Sequence, residues 1–254
     1  MPPSHGLSVI IIARNEEHDI ADCLESVKPL ATEIILADSG STDQTIEIAK
    51  RFGVQVFHKE WEGYGPQKQF ALDKAKGPWV LNIDADERLS PALQTEIRQI
   101  LAWDPSIASH GYDIPFRHTF LGKRLRFGGV AGEKHIRLFQ KGHVTYGNKK
   151  IHEGVHLDSP AGHLNHPIDH LSYRNIEEYL TKCNLYTSLI AQEKWEKGER
   201  FHCWHHLRLP MAFFMRYVLK LGFLDGEAGL IYAALSAYYT WIKFLKLRDL
   251  EGKK

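Results

Sequence analysis

The chain of 254 residues predicts an α/β fold built on a mostly parallel, doubly wound sheet. Three observations lead there. Strand-like and helix-like stretches alternate through residues 7–103. The first strand-like stretch, Leu7 to Ala13, is an unbroken apolar run rich in isoleucine, as a strand covered on both faces requires. Polar clusters follow directly on strand ends, at the carboxyl edge where such sheets bind ligands. They are Arg14-Asn15-Glu16-Glu17, Asp38-Ser39-Gly40-Ser41 and Asp84-Ala85-Asp86-Glu87.

Each element follows in order. After the first strand, Ile20, Cys23, Leu24 and Val27 fall on one stripe of a helix. Ile34 to Ala37 is a second strand, and Ser41 and Gln44 stand at capping-box spacing before a helix ending at Arg51. Val54 to Phe57 is a third strand. A helix follows from about Pro66 to Lys76, with proline in its first turn. Trp79 to Ile83 is the fourth strand. Ser90 then caps a helix with Pro91 at its first position and Leu93, Ile97, Ile100 and Leu101 as its apolar stripe. The βαβαβαβα order implies parallel pairing. Alternation at Tyr112, Ile114 and Phe116, and at Ile136 and Leu138, predicts further strands. From Asn175 the chain is helical in character, with apolar stretches at Val218 to Leu224 and Gly229 to Leu247.

Composition excludes several classes. Hydrophobic residues make up 43% and charged residues 25%, as in ordinary globular domains, and the formal net charge of +1 offers no field for nucleic acid. Three unpaired-looking cysteines, Cys23, Cys183 and Cys203, fit a reducing compartment without disulfides or a zinc template. No signal-peptide pattern opens the chain. Glycine-rich dinucleotide and P-loop fingerprints are absent. Of the 15 histidines, His152, His156, His163, His166 and His170 crowd together but match no zinc spacing.

The chemistry resides in carboxylates. Asp84 and Asp86, one residue apart at a strand end, suit a shared Mg²⁺ or Mn²⁺ that neutralises a departing diphosphate. Asp38 can accept hydrogen bonds from a base or ribose. Lys68 and Arg137 are candidates to pair with phosphates.

Taken together, Leu7-Ser-Val-Ile-Ile-Ile-Ala-Arg-Asn-Glu-Glu17, Ala37-Asp-Ser-Gly-Ser-Thr-Asp-Gln-Thr45 and Leu81-Asn-Ile-Asp-Ala-Asp-Glu87 resemble family 2 glycosyltransferases of the GT-A fold. Trp61-Glu-Gly-Tyr-Gly-Pro-Gln-Lys68 and Gly222-Phe-Leu-Asp-Gly-Glu-Ala-Gly-Leu230 are similar to the bacterial transferases of lipopolysaccharide core synthesis, of the glucosyl- and heptosyl-transferring type. The resemblance spans about residues 7 to 250. It implies a GT-A catalytic domain over residues 1–174 and a C-terminal helical region over 175–254. It implies a donor pocket of Ala13, Glu16, Asp38, Lys68 and Asp84, and metal ligands Asp86, Asp84 and His170. The family's usual Glu-Asp pair is replaced by His152-Glu153, so Glu153 is the expected catalytic base and Glu133 its rival. The implied enzyme is an inverting hexosyl- or heptosyltransferase. Its donor is a nucleotide sugar, a UDP-sugar first, and its acceptor is a hydroxyl of a glycolipid or oligosaccharide. A polyprenyl-phosphate transferase would show membrane spans, and a non-catalytic sugar- or nucleotide-binding protein on the same fold would not need the acidic pair.

The C-terminal helices bear on location. Ala228 to Ile242 carries no charge but is shorter than the roughly 20 residues of a span. Met211, Phe213, Phe214 and Met215 lie between Arg208 and Arg216, with Lys220 beyond, which suits a helix lying in a membrane interface. His202, His205 and His206 beside Trp204 read as a polar helix face or a lipid-headgroup contact. The expected place is cytoplasmic, in peripheral contact with the inner membrane.

Overall fold

The computed structural model describes residues 6–102, 109–147 and 155–252. The α/β alternation is borne out. Strands β1 (Leu7–Ala13), β2 (Glu33–Asp38), β3 (Gln55–His58) and β4 (Trp79–Asn82) alternate with helices α1 (Ile20–Val27), α2 (Thr45–Arg51) and α3 (Tyr64–Lys74). Their order in the sheet is β3-β2-β1-β4, all parallel. All seven residues of β1 are buried, which explains its continuous apolar sequence. Leu7, Val9 and Ile11 meet the stripe of α1 and the inner face of α4 (Pro91–Ala102). Ile10 and Ile12 face the other way, onto Ala71 and Leu72 of α3. Helices therefore cover both faces, the doubly wound arrangement. Each such buried aliphatic side chain contributes about 1.5–3 kcal/mol.

Beyond α4 the sheet continues in the opposite sense. β8 (Lys134–Gln140) runs antiparallel to β4, with Leu81 opposite Leu138, and β6 (Gly111–Phe120) runs antiparallel to β8. The sheet ends in β12 (Ile168–Tyr173) and β5 (Glu87–Leu89). Short strands β7 (Lys123–Arg124) and β11 (Gly162–His163) flank β6, and β9 (Val144–Tyr146) pairs with β10 (Val155–Leu157) in a separate ribbon.

Local signals hold unevenly. Ser90 caps α4 as expected, its hydroxyl accepting from Leu93 N–H at 3.3 Å. The capping box of Ser41 and Gln44 does not form. Gln44 makes no side-chain cap bond, and the Ser41 hydroxyl turns to Asp38 and to the Asn15 N–H instead. Val218 to Leu224 spans the end of a π-helical turn at Leu219 and the start of a 3₁₀ turn over Gly222–Asp225.

The chain divides into two compact units, residues 1–116 with 133–170, and residues 117–132 with 171–254. The second is helical, containing α5 (Ile176–Glu196), α6 (Arg208–Phe214) and α7 (Gly226–Glu251). Tyr179 of α5 donates to the Leu235 carbonyl of α7 at 2.8 Å within a core of Phe120, Leu125, Val130 and Cys183. Among the described residues no helix is long and apolar enough to cross a membrane.

Candidate active site

The site grows out of the carboxyl edge of the parallel strands. Ala13 ends β1 opposite Asp38 at the end of β2, and Ile10 pairs with Asn82 at the end of β4. The three polar clusters therefore leave the sheet along one edge.

The first two clusters are latched together. Asn15 adopts a left-handed backbone, φ 58°, a conformation asparagine tolerates better than most residues. Its Oδ1 accepts from Thr42 N–H at 2.8 Å, and its own N–H donates to Ser41 Oγ at 2.9 Å. Glu16 N–H donates to Thr45 Oγ1 at 2.8 Å, and Glu17 N–H to Asp43 at 3.1 Å. Asp38, only 1% exposed, accepts from Gly40 N–H at 2.8 Å and Ser41 N–H at 3.0 Å. Its carboxylate thus shapes the loop that follows β2.

The third cluster is built from charges. Asp84 lies two residues past β4, with Lys68 Nζ 2.9 Å from Oδ1 and Arg137 2.9 Å from Oδ2. Lys68 is 1% exposed, an unusual position for an ammonium without a carboxylate beside it. Arg137 also reaches Glu87 at 2.5 Å and stacks on Phe116, 5.3 Å from the ring centre. Glu87 Oε2 accepts the Asp84 N–H at 2.9 Å, closing the turn that contains Asp86. Burial alone would raise the Asp84 carboxyl, but Arg137 and Lys68 outweigh it and hold Asp84 far below the usual carboxylate range. For Glu87 burial wins, and the group is pushed up to about 7 against the pull of Arg137.

Asp86 faces another partner. His170 Nε2 lies 3.4 Å from Asp86 Oδ2. The contact depends on β12 pairing with β5, where His170 stands opposite Glu87. Burial opposes the imidazolium, but Asp86, Glu87 and Asp84 outweigh it and push His170 up to about 9. Once the imidazole gives up its proton, His170 and Asp86 would offer a nitrogen–oxygen donor pair to a divalent cation. Beneath the turn, the Cys23 thiol donates to the Asp84 carbonyl at 3.5 Å, and burial pushes that thiol strongly up.

Of the sequence candidates, Ala13, Glu16, Asp38, Lys68, Asp84, Asp86 and His170 all lie on the strands and loops of this edge or on the helix and strand packed against it. Glu133 is exposed, with its carboxylate 2.9 Å from His135 Nε2. Glu153 lies outside the described residues, as does His152. His163 pairs with Asp113 at 2.7 Å, so it and His170 serve different carboxylates. Sequence reasoning missed Glu87 as a structural partner of Asp84 and Arg137. The available signal was an arginine inside an apolar strand, Ile136-Arg137-Leu138-Phe139, which demands a buried carboxylate.

Among the described residues, another group with donors close enough for a cation is His110, His143 and Asp158. It lies by the opposite edge of the sheet, since the end of β8 at Gln140 pairs with Trp79, the first residue of β4. There Asp158 accepts from both imidazoles at 2.8 and 2.6 Å, and these bonds account for the grouping.

Comparison with known proteins gives the family. The family model described as glycosyl transferase family 2 matches residues 8–162. The lipopolysaccharide core biosynthesis glycosyltransferase LpsC of Rhizobium meliloti is 31% identical over 93% of this chain and 92% of its own length. An uncharacterized glycosyltransferase of Rickettsia typhi is 33% identical over 97% of this chain and 88% of its own. A solved glucosyl-3-phosphoglycerate synthase of Mycobacterium tuberculosis, in complex with Mn²⁺, UDP-glucose and phosphoglyceric acid, shares 31% identity. That overlap covers 33% of this chain and 34% of the other, with a TM-score of 0.30. The full-length likeness to the first two relatives and the span of the family match lead to one conclusion: the chain is a glycosyltransferase and belongs to glycosyltransferase family 2.

Proposed function

We propose that this enzyme is an inverting, divalent-metal-dependent transferase that moves a hexose or heptose from a nucleotide sugar to a hydroxyl of a glycolipid or oligosaccharide in lipopolysaccharide core assembly. The pairing of Asp86 with His170 beside the Lys68–Asp84–Arg137 cluster carries the reading. The donor set fits a hard divalent cation such as Mn²⁺ or Mg²⁺: one carboxylate and one imidazole from the protein leave the remaining positions to diphosphate and water oxygens. When bound, the cation would stabilise charge on the departing nucleoside diphosphate. Asp84, already committed to two cations, serves as the anchor that fixes the turn. The loops of Asn15 and Asp38, tied to each other by side-chain bonds, form a rigid floor for the nucleoside.

Glu153 is our candidate for the group that takes the acceptor proton as its oxygen attacks. Attack opposite the diphosphate inverts the anomeric centre in one displacement, so no enzyme nucleophile is needed. Hydrolysis of UDP-, GDP- and ADP-sugars with Mn²⁺ identifies the donor. Glu153→Gln is expected to stop transfer and spare donor binding; normal turnover of that variant would remove Glu153 from the scheme.

The acceptor side rests on the helical unit. Leu207, Met211, Phe214, Leu219 and Leu224 are each more than half exposed within one short stretch that also carries Arg216 and Lys220. Apolar side chains beside basic ones favour an interfacial position on an anionic bilayer. Phe214→Ser with Met211→Ser is expected to release the protein from vesicles in a sedimentation assay; unchanged sedimentation would contradict peripheral contact through this stretch.

A further inference from the structure

The helical unit contains a hollow of about 510 Å³ between the end of α5, the 3₁₀ turn at Cys203–Leu207 and α7. Its lining gathers four cations, Lys194, Arg200, Arg208 and Lys243, against one carboxylate, Glu199. That carboxylate is engaged by Lys194 at 2.6 Å. The aromatic floor is Phe244, with the Arg208 guanidinium 4.6 Å and the Lys194 and Lys243 ammonium groups 5.3 and 5.7 Å from its ring centre.

Cations gathered in a hollow repel one another, and a chain that keeps them there without enough carboxylates stores an unfilled demand for negative charge. Three observations express that demand. Among the described residues, none bonds the buried Nε of Arg208. Burial and the nearby Lys194 and Arg208 charges pull Lys243 below the usual lysine range. His205 beside them is likewise lowered, by burial first and then by Arg208. The ring contacts hold Arg208, Lys194 and Lys243 against Phe244 on the lining of the hollow. A guanidinium fork with ammonium groups around it is the donor arrangement that phosphate esters take, being compact, multiply charged and rich in acceptors.

We propose that this hollow is a phosphate-ester site, distinct from the nucleotide-sugar site, held by Arg208 and Lys243 with Lys194 and Arg200. It stands independently of the transferase mechanism, since it uses residues of the helical unit alone. The phosphate could belong to a lipid headgroup or to a soluble phosphorylated ligand.

The test titrates inorganic phosphate into the full chain in the presence of EDTA, at constant ionic strength, by calorimetry. Saturable binding is expected in the unaltered protein and in Asp86→Ala, weakened roughly tenfold in Lys243→Gln and again in Arg208→Gln, since each charge-assisted bond contributes more than 1 kcal/mol. Arg208→Lys, which keeps the charge, should recover part of the loss. Circular dichroism guards against misfolding of the Arg208 variants, and Lys243→Gln alone decides the matter if they fail to fold. Absence of saturable binding, or equal binding by Lys243→Gln, would overturn the site. Loss of binding in Asp86→Ala would relocate the phosphate to the nucleotide-sugar site and overturn it too. Sedimentation with phosphatidic acid and phosphatidylcholine vesicles separates the sources. Displacement from phosphatidic acid by free phosphate assigns the site to a headgroup. Saturable phosphate binding without such displacement assigns it to a soluble ligand.

Discussion

At the scale of single residues, the Lys68–Asp84–Arg137–Glu87 cluster shows how two acids one residue apart in this chain take different partners. Asp86 can face a ligand only because Asp84 and Glu87 hold the turn, and each of them is held in turn by buried cations. Removing Asp84 should be costly. Asp84→Asn withdraws the carboxylate from two buried cations and should destabilise by about 3 kcal/mol, read by urea unfolding. Lys68→Met removes a charge together with its bridge and should cost less; a larger loss for Lys68→Met would contradict the account. A second carboxylate gives a pH signature. Glu33 accepts from the Ser8 hydroxyl and from Lys76 N–H, both at 2.6 Å. Burial alone would raise it, but these bonds win and lower its pKa. A lowered carboxyl contributes stability above its unfolded value, lost as pH falls through the folded one. Unfolding free energy should therefore drop between about pH 5 and 3, and Glu33→Gln should flatten that limb. An unchanged acid limb in the variant would refute the assignment.

At the scale of elements, backbone demands explain motifs that periodicity alone cannot. Asn15 pairs a left-handed backbone with the Thr42 latch. Asn15→Ala should lose both, costing about 1–3 kcal/mol, whereas Asn15→Gly should recover the backbone part only; thermal melts of the two variants check the order. The segment Gly222 to Leu230 is a packing motif. A Cβ at Gly229 would stand 1.9 Å from the Gly222 carbonyl oxygen, so α7 and the 3₁₀ turn meet backbone to backbone. Asp225 between them accepts the N–H groups of Arg126 and Phe127. Gly229→Ala should lower the melting temperature markedly, and a melt like that of the parent would contradict this contact. These examples mark what sequence could and could not convey. α1 and α4 were legible because burial of one face imposes a period on their residues, and β1 and β4 because burial on both faces leaves no exposed position in them. β5 was not, because three residues carry no period and its form depends on pairing with β12. Ser41 misled because its hydroxyl had a better partner in Asp38 than in the helix it precedes.

At the scale of the whole molecule, the parallel half of the sheet supplies the loops of Asn15, Asp38 and Asp84, and the antiparallel half supplies Arg137 and His170. The acidic motif could be picked out from residue type and its place at a strand end, and the late histidine only through the family resemblance. The arginine's commitment to Asp84 and Glu87 could not, because it depends on β8 lying antiparallel to β4, some fifty positions away in sequence. The central claim is that Asp86 and His170 together hold the cation that grips the donor's diphosphate. The most direct measurement is calorimetric titration of UDP, GDP and ADP into the protein with and without Mn²⁺, repeated for Asp86→Ala and His170→Ala. The account predicts Mn²⁺-dependent binding of one nucleotide by the parent, lost in Asp86→Ala and weakened in His170→Ala with folding intact. Binding by the parent that ignores Mn²⁺, or that survives unchanged in both variants, would contradict it.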